Sequence, residues 1–266
     1  MRFALGVEYN GSAYWGWQKQ PDQPAPFLQS ILECALAKVV DHPITVHASG
    51  RTDRGVHALG QVVHFDTPVS RPLKAYVAGV NQHLPPDVRV TFAHPVPEDF
   101  DARRSAYQRR YVYLLHHSNA HSATHWQRVT YTHLPLDVSV MQAAAQFLVG
   151  EHDFSAFRAA ECQAKSPVRT VHHCQVYQRG PWVYIDITAN AFLHHMVRNI
   201  VGTLMRIGQG RESATWVPHL IAQKDRQQAA RMASAAGLYL VKVSYPDEFK
   251  IPEPVFPPWL CDSKVG

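Results

Sequence analysis

The chain has 266 residues, of which 46% are hydrophobic and 18% are charged, and its formal net charge is +5. This amount of apolar sequence supports a packed core and excludes a largely disordered chain. The positive charge suggests a polyanionic partner, although it does not separate an RNA-binding protein from an ordinary basic enzyme.

Cysteine spacing and hydropathy exclude several further classes of protein. The four cysteines are Cys34, Cys162, Cys174 and Cys261, and no two of them have Cys-x-x-Cys spacing. This spacing argues against a zinc ribbon, a thioredoxin-like site and a disulfide-stapled secreted fold. We find neither a signal-peptide core nor an apolar run long enough for a membrane helix, so we expect a soluble cytoplasmic protein.

The first half of the chain alternates between strand and helix patterns. Every second residue from Phe3 to Tyr9 is apolar, which is typical of a strand, whereas apolar residues after Pro26 recur at helical spacing. The predicted elements, in chain order, are a strand at 2–10, a helix at 27–39, strands at 44–48 and 60–66, a helix at 73–84 and a strand at 88–94. This order is βαββαβ, the arrangement of ferredoxin-like folds.

The second half of the chain repeats this order. Its predicted elements are a strand at 107–117, a helix at 138–148, a hairpin of strands at 170–178 and 182–190, a helix at 193–204 and a strand at 238–245. We therefore expect an α+β fold with two βαββαβ halves, at residues 1–102 and 103–247, each an open antiparallel sheet with helices on the opposite face. Sheets of this topology are common in RNA-binding modules. For the proline-rich tail at 248–266 we expect an extended chain.

The strongest candidate for chemistry is the sequence SGRTDRGVHALGQVVHFDT at 49–67, in which SGRTDRGVHAL separates the second predicted strand from the third. Gly50 and Gly55 permit backbone conformations that other residues resist, so the turn can present its central side chains outward. Asp53 lies between Arg51 and Arg54, two cations that favour its ionised form. Such a carboxylate can act as a nucleophile or an electrostatic partner, but an ion-paired surface turn is equally compatible with the pattern.

Several motifs resemble those of a single family. GRTDRGVHA, which contains Asp53, resembles the catalytic motif of the tRNA pseudouridine synthase A (TruA-type) family. RRYVY, which contains Tyr111, resembles its tyrosine segment, and ANAFLHHMVRNIVGTLM, which contains Arg198, resembles its third motif. YNGSAYWGWQKQP and GLYLVKVSYP are similar to further family signatures. The resemblance runs from Tyr9 to Pro246 in the expected order.

The resemblance implies a fold, a reaction and partners. The family's two ferredoxin-like, RNA-recognition-like halves join into one antiparallel sheet around a central cleft. Its reaction isomerises uridine to pseudouridine in tRNA without a cofactor, by breaking the N-glycosidic bond and rejoining the base through carbon. The resemblance further implies a homodimer that modifies uridines 38, 39 and 40 of the anticodon arm.

The resemblance also implies roles for five residues. Asp53 matches the nucleophilic aspartate, and the sequence leaves open whether it attacks the base, attacks the sugar or assists loss of the C2′ proton. Arg198 matches the arginine that pairs with this carboxylate, and Tyr111 matches the tyrosine that stacks on the target base. Arg51 matches the residue that takes the place of a flipped base. Leu238 matches an apolar residue of the same pocket, with a plain core position as the open alternative.

Further basic and polar residues are candidates for contact with the RNA backbone. Charge runs more often form a solvated face, and this alternative stays open for each of them. The candidates are Arg54, Arg71, Arg103, Arg104, Arg109, Arg110, Gln163, Lys165 and Arg169. The run FDARRSAYQRR, with four arginines in eleven residues, is the strongest group among them.

Two alternative functions come from different classes. A non-catalytic tRNA-binding protein of the same fold would have no need for the matched aspartate, tyrosine and arginine together. An Asp/His metal-dependent hydrolase would need converging ligands, but adjacent histidines such as His116 and His117 point to different faces of a strand. We therefore expect neither a metal nor a cofactor. His57, inside the aspartate motif, stays open as a proton-transfer group.

Overall fold

The computed structural model of the chain describes residues 1–20, 23 and 25–260. These residues form two compact units. Unit 1 contains Met1–Tyr107 together with the chain from Leu240 onward, and unit 2 contains Gln108–Tyr239. Both units combine helices with strands, which confirms the predicted α+β class. Among the described helices, none has the length and apolar character needed to cross a membrane.

The regular elements alternate along the whole chain. In chain order they are β1 (Arg2–Tyr9), α1 (Leu28–Val40), β2 (His47–Ala48), β3 (His57–Asp66), β4 (Val88–Val96), β5 (Gln108–His117), β6 (Thr130–Thr132), α2 (Val138–Gln146), β7 (Gly150–Asp153), β8 (Val168–Arg179), β9 (Trp182–Ala189), α3 (Met196–Gly208), α4 (Trp216–Gln223) and β10 (Leu238–Ser244). A π-helical segment, Ala75–Gly79, lies between β3 and β4.

Unit 1 has an antiparallel ferredoxin-like arrangement around β1 and β3. The strands lie in the order β4-β1-β3-β10, and the short β2 also pairs with β3. β1 is paired on both edges, and both of its faces are covered, because Ala4 and Leu5 point to opposite faces and are both fully buried. β10 lies beside β3, and its residues from Leu240 onward belong to unit 1. The predicted second half of the chain, 103–247, instead includes all of β10.

The strand predicted at 44–48 is reduced to the two residues of β2. Ile44 and Val46 are buried as the apolar alternation predicts, but the backbone of Val46 bonds to side chains of α1. Glu33 Oε1 accepts the Val46 N–H at 3.1 Å, and Gln29 Nε2 donates to the Val46 carbonyl at 3.4 Å. These bonds replace the strand partners that a longer β2 would need, so the prediction was right about burial and wrong about conformation.

The helix predicted at 73–84 is shorter than expected. Helical conformation covers residues 73–81 only, and its centre is the π-helical segment. Asn81 ends it, because its side chain donates to the Val90 carbonyl at 2.9 Å and accepts the Val90 N–H at 2.8 Å. Leu84 is nevertheless buried, as a helix face would have required.

Unit 2 contains the antiparallel order β5-β9-β8-β7, with α2 packed against β8 and α3. The predicted hairpin is confirmed: β8 and β9 are joined at Gly180, whose φ of 58° lies in the left-handed region. β6, β7 and α4 were not predicted from the sequence. β6 pairs parallel to β5, which corrects the expectation of a purely antiparallel arrangement.

A buried histidine in unit 1 makes stability depend on pH. The His64 Nδ1 accepts the Ala102 N–H at 3.0 Å, and its ring stacks on that of His47 at 4.9 Å. Burial, helped by the nearby charge of Arg2, lowers the pKa of His64 to about 4. Because this pKa lies below the unfolded value of about 6.5, the contribution is complete above pH 6.5 and is lost as the pH falls towards 4.

We expect the free energy of unfolding to fall by about 2 kcal/mol between pH 7 and pH 4.5 through His64 alone. Denaturant titrations at a series of pH values measure this fall. In His64→Asn, the side-chain oxygen can still accept the Ala102 N–H. For this variant the fall in unfolding free energy between pH 7 and pH 4.5 should be about 2 kcal/mol smaller than for the wild type. If the unfolding free energy depended on pH equally in the two proteins, His64 would not titrate in this way.

Candidate active site

The turn that carries Asp53 lies between β2 and β3 in unit 1. Arg51 and Arg54 are exposed, Thr52 between them is buried, and Asp53 is half-buried. The Val56 N–H donates to the Asp53 carbonyl at 3.1 Å and closes the turn. Asp53 is therefore half-buried, whereas Thr52 beside it lies in the core.

The two glycines of the turn are not equivalent. Gly55 has a φ of 80°, in the left-handed region where a side chain would be strained. Gly50 is not among the residues with positive φ, and a Cβ at this position would meet no atom within 4 Å. The left-handed conformation that glycine permits is therefore used at Gly55 and not at Gly50.

The segment after β1 holds the turn by its backbone. The Trp17 N–H donates to the Thr52 carbonyl at 3.0 Å, and the Gly55 N–H donates to the Tyr14 carbonyl at 3.4 Å. Gly16, between them, has a φ of 105°, and a Cβ there would lie 2.8 Å from the Thr52 oxygen. This contact gives a structural reason for the glycine at position 16 within YNGSAYWGWQKQP.

Three buried polar side chains beneath the turn were not singled out from the sequence. Tyr9, Thr52 and Gln61 are 3%, 6% and 0% exposed, and hydrogen bonds join them. Tyr9 and Gln61 belong to strands, where a polar residue at an otherwise buried position is the signal that could have indicated them.

Trp15 and His57 also surround the turn. The Arg54 guanidinium lies 4.2 Å from the centre of the Trp15 ring, so a cation–π contact orients it at the surface. His57 is 1% exposed, and its Nδ1 accepts the Gly11 N–H at 3.1 Å, which leaves the ring proton on Nε2. This contact fixes the tautomer of His57 and ties the ring to the backbone at Gly11.

Unit 2 holds the other matched residues. Tyr111 lies on β5 opposite Ile187, half-buried, with its ring edge-on to Phe192 at 5.0 Å. Tyr113, two residues later, is fully buried, and its hydroxyl bonds to Thr130 at 2.5 Å. One face of β5 thus holds a partly accessible aromatic ring beside a core tyrosine.

Arg198 bonds to the segment that precedes β10, and Leu238 is the first residue of that strand. The Arg198 Nε donates to the Ala233 carbonyl at 2.9 Å, and the Ala233 N–H donates back to the Arg198 carbonyl at 3.1 Å. These bonds fix the arginine at the start of α3 and leave it half-buried. Leu238 is 5% exposed, so in this structure it is a buried apolar residue.

Comparison with known proteins identifies the family. The family model described as tRNA pseudouridine synthase matches residues 6–103 and 144–246. The chain belongs to the tRNA pseudouridine synthase family. The first matched segment contains the Asp53 turn and the second contains Arg198 and Leu238, whereas Tyr111 lies between them.

Similar proteins cover almost the whole chain. A tRNA pseudouridine synthase A of Mannheimia succiniciproducens is 51% identical over 98% of this chain and 99% of its own. One of Photorhabdus laumondii is 52% identical over the full length of both, and one of Pseudomonas aeruginosa is 51% identical over 95% of this chain and 88% of its own. Among solved structures, a chain of "Crystal Structure of a Cbf5-Nop10-Gar1 Complex" has a TM-score of 0.33 at 11% identity, over 89% of this chain and 57% of that chain.

Most of the residues predicted to contact RNA in this synthase-family chain are exposed. The exposed ones are Arg51, Arg54, Arg71, Arg103, Arg104, Gln163 and Lys165. Arg109, Arg110 and Arg169 are half-buried and bond to the protein itself. Arg158, which sequence analysis did not select, bonds to the carbonyls of Cys162 and Ala164 and so shapes the loop that carries Gln163 and Lys165.

Arg110 differs from the other arginines because it forms an ion pair inside unit 2. Its guanidinium donates twice to Asp186, with Nε–Oδ1 at 2.9 Å and Nη2–Oδ2 at 2.5 Å, and the aspartate side chain is only 5% exposed. A fork-shaped pair of this kind occupies the donors that a phosphate would need. The contact indicates that Arg110 serves the fold of unit 2 first.

We expect Arg110→Met to destabilise the protein by about 3 kcal/mol, because it leaves the buried Asp186 carboxylate without its counter-charge. Chemical denaturation measures this loss. The salt dependence of tRNA binding should stay unchanged in Arg110→Met, whereas in the exposed control Arg103→Met its slope should fall by about one. Weaker binding by Arg110→Met with full stability would instead assign Arg110 to the RNA surface.

Proposed function

We propose that the chain is a tRNA pseudouridine synthase that isomerises uridine to pseudouridine at positions 38, 39 and 40 of the anticodon stem-loop. The observation that carries the proposal is the Asp53 turn, in which a half-buried carboxylate lies between two exposed arginines on a backbone held by neighbouring segments. Membership of the family and relatives about half identical over nearly the full length support the same reaction.

In the proposed mechanism, Asp53 is the nucleophile. The reaction breaks the bond between C1′ of the ribose and N1 of uracil, turns the base and forms a bond from C1′ to C5. The proton on C5 leaves to water and N1 takes up a proton, so atoms and electrons balance without an oxidant or reductant. An ionised carboxylate fits each route by which Asp53 could act, and its arginine neighbours favour that form.

Arg198, Tyr111 and Leu238 complete the proposed site. Arg198 pairs with the Asp53 carboxylate and fixes its ionised state and orientation. Tyr111 stacks on the target uracil, a contact that contributes roughly 1–3 kcal/mol for a base on an aromatic ring. Leu238 provides apolar contact within the same pocket.

The target uridine must leave its stack before it can react. Extrusion of a base costs a few kcal/mol, and the proposed function assigns to Arg51 the role of occupying the vacated space. Its exposure on the turn, two residues before Asp53, supports this role. The exposed arginines and Lys165 are proposed to bind phosphates, whose contribution depends on salt.

The proposed enzyme is a cytoplasmic homodimer that binds tRNA and uses no cofactor. Gel filtration with and without tRNA tests the dimer, and a monomer that is active at all concentrations would remove it. This part of the proposal rests on the family resemblance, which implies that tRNA is bound across two subunits.

A tritium-release assay tests the proposed function. Unmodified tRNA whose uridines carry tritium at C5 is incubated with the protein, and the label that appears in water is counted. We expect release that is unaffected by a chelator, because no metal takes part. A tRNA-binding protein without activity would bind the tRNA and release nothing, and a metal-dependent hydrolase would lose its activity on chelation.

A further inference from the structure

We propose that Tyr9, Thr52 and Gln61 form a positioning network that sets the rate of isomerisation by fixing the backbone of the Asp53 turn. The proposal rests on the proposed function of Asp53 as nucleophile. None of the three side chains is assigned contact with the substrate, and each acts on the reaction through the position of the turn.

Thr52 is the buried pivot of the turn. It is 6% exposed, whereas Arg51 on one side is exposed and Asp53 on the other is half-buried. Its Oγ1 lies 2.8 Å from the Tyr9 hydroxyl, and its carbonyl accepts the Trp17 N–H at 3.0 Å. The side chain and the backbone of Thr52 are therefore both held. This fixes the direction of the backbone at Arg51 and Asp53.

Gln61 anchors the chain that leads into the turn. Its Oε1 accepts from the Ser49 hydroxyl at 2.6 Å, and its Nε2 donates to the Gly50 carbonyl at 2.8 Å and towards the Tyr9 hydroxyl at 3.5 Å. Gln61 Oε1 also accepts the Val62 N–H at 3.2 Å, so both oxygen lone pairs and both amide hydrogens are used. A buried amide with all its bonds made has one preferred orientation.

The network carries no charge near neutral pH. Burial raises the pKa of Tyr9 to about 12, in spite of the hydrogen bonds from Thr52 and Gln61 that lower it. Its hydroxyl therefore stays protonated, and neither threonine nor glutamine titrates in this range. The network therefore does not exchange protons with the substrate under these conditions. Its effect on the reaction is to place Arg51 and Asp53.

Small displacements of reacting groups have large kinetic effects. A misplacement of about 1 Å by a change away from the chemistry can cost about 100-fold in rate. A valine at position 52 has nearly the shape of threonine but cannot bond to Tyr9, so it removes the side-chain bond that holds the turn and keeps the backbone bond to Trp17. Serine keeps the hydroxyl, and Thr52→Ser and Thr52→Val are therefore a matched pair.

The test compares single-turnover tritium release at saturating enzyme with the Kd for tRNA. We expect Thr52→Val to slow release by about 10- to 100-fold while the Kd changes by less than about threefold. Thr52→Ser should recover most of the rate. Tyr76→Phe is the control, because it removes a buried tyrosine hydroxyl that bonds to the Val69 carbonyl in the same unit at 2.9 Å, and its rate should equal that of the wild type.

A double-mutant cycle strengthens the test. Tyr9→Phe and Thr52→Val break the same hydrogen bond, so the double variant should be little slower than either single variant. If Thr52→Val does not fold, the rate of Tyr9→Phe compared with that of its control Tyr76→Phe tests the proposal. A normal rate in the folded variants, or a loss of affinity that matches the loss of rate, would overturn the proposal. A wild-type protein without tritium release would instead overturn the proposed function itself.

Discussion

Asp53→Asn is expected to abolish isomerisation while the protein still binds tRNA. Asparagine has the size of aspartate but lacks the charge and the nucleophilic oxygen, so the rate should fall by at least about 10³-fold. The turn itself should persist, because neighbouring residues hold it through their backbones and buried side chains. Tritium release measures the rate, and filter binding measures the Kd, which should change by less than about threefold.

A second aspartate provides the control for this substitution. Asp66 pairs with Arg2 at 2.7 Å, and its side chain is 60% exposed, so Asp66→Asn removes an exposed carboxylate of small energetic value. Its rate of tritium release should equal that of the wild type. Turnover retained by Asp53→Asn would exclude Asp53 as the nucleophile, and tRNA binding lost together with turnover would assign it a role in binding instead.

Gly16→Ala is expected to destabilise the protein and slow the reaction together. A φ of 105° is strained for any residue with a side chain, and the new Cβ would lie 2.8 Å from the Thr52 carbonyl oxygen. The strain and the contact with the backbone together should cost about 3 kcal/mol. Because the atom that must move belongs to the Asp53 turn, the single-turnover rate should also fall by about tenfold or more.

Gly50→Ala is the matched control, because a Cβ there meets no atom within 4 Å and the residue lies in the same turn. Denaturant unfolding and tritium release should both give values close to the wild type for this variant. If Gly16→Ala were as stable and active as Gly50→Ala, the close contact between residue 16 and the Asp53 turn would not hold in solution.

Hydrophobic pattern predicted those elements in which side-chain burial and backbone pairing coincide. β1 and α1 have regular apolar spacing and were found close to their predicted limits. At 44–48 the burial was correct but the bonds of Val46 go to side chains of α1, which apolar spacing does not encode. β7, Gly150–Asp153, contains no apolar residue, so no strand pattern exists for it in the sequence.

The parts of the candidate site that lie within one short motif could be predicted from the sequence. The sequence around Asp53 indicated the turn and its two arginines directly. Which glycine the backbone needs depends on residues from a different segment, since Gly16 lies against the Thr52 carbonyl. The partner of Arg110 is likewise remote, because Asp186 lies 76 residues further along the chain. Such contacts between distant residues carry no local signal in a single sequence.

The placement of β10 sets the order in which the chain can complete its fold during synthesis. Unit 2 is one continuous stretch, Gln108–Tyr239, whereas unit 1 needs β10 beside β3, roughly 180 residues earlier in the chain. The Val241 carbonyl packs so closely on Gly60 that a Cβ there would lie within 2.3 Å of it. The part of the protein that leaves the ribosome first, with the Asp53 turn, therefore completes its fold last. A nascent chain that stops before Leu240 lacks a strand of the unit that contains Asp53.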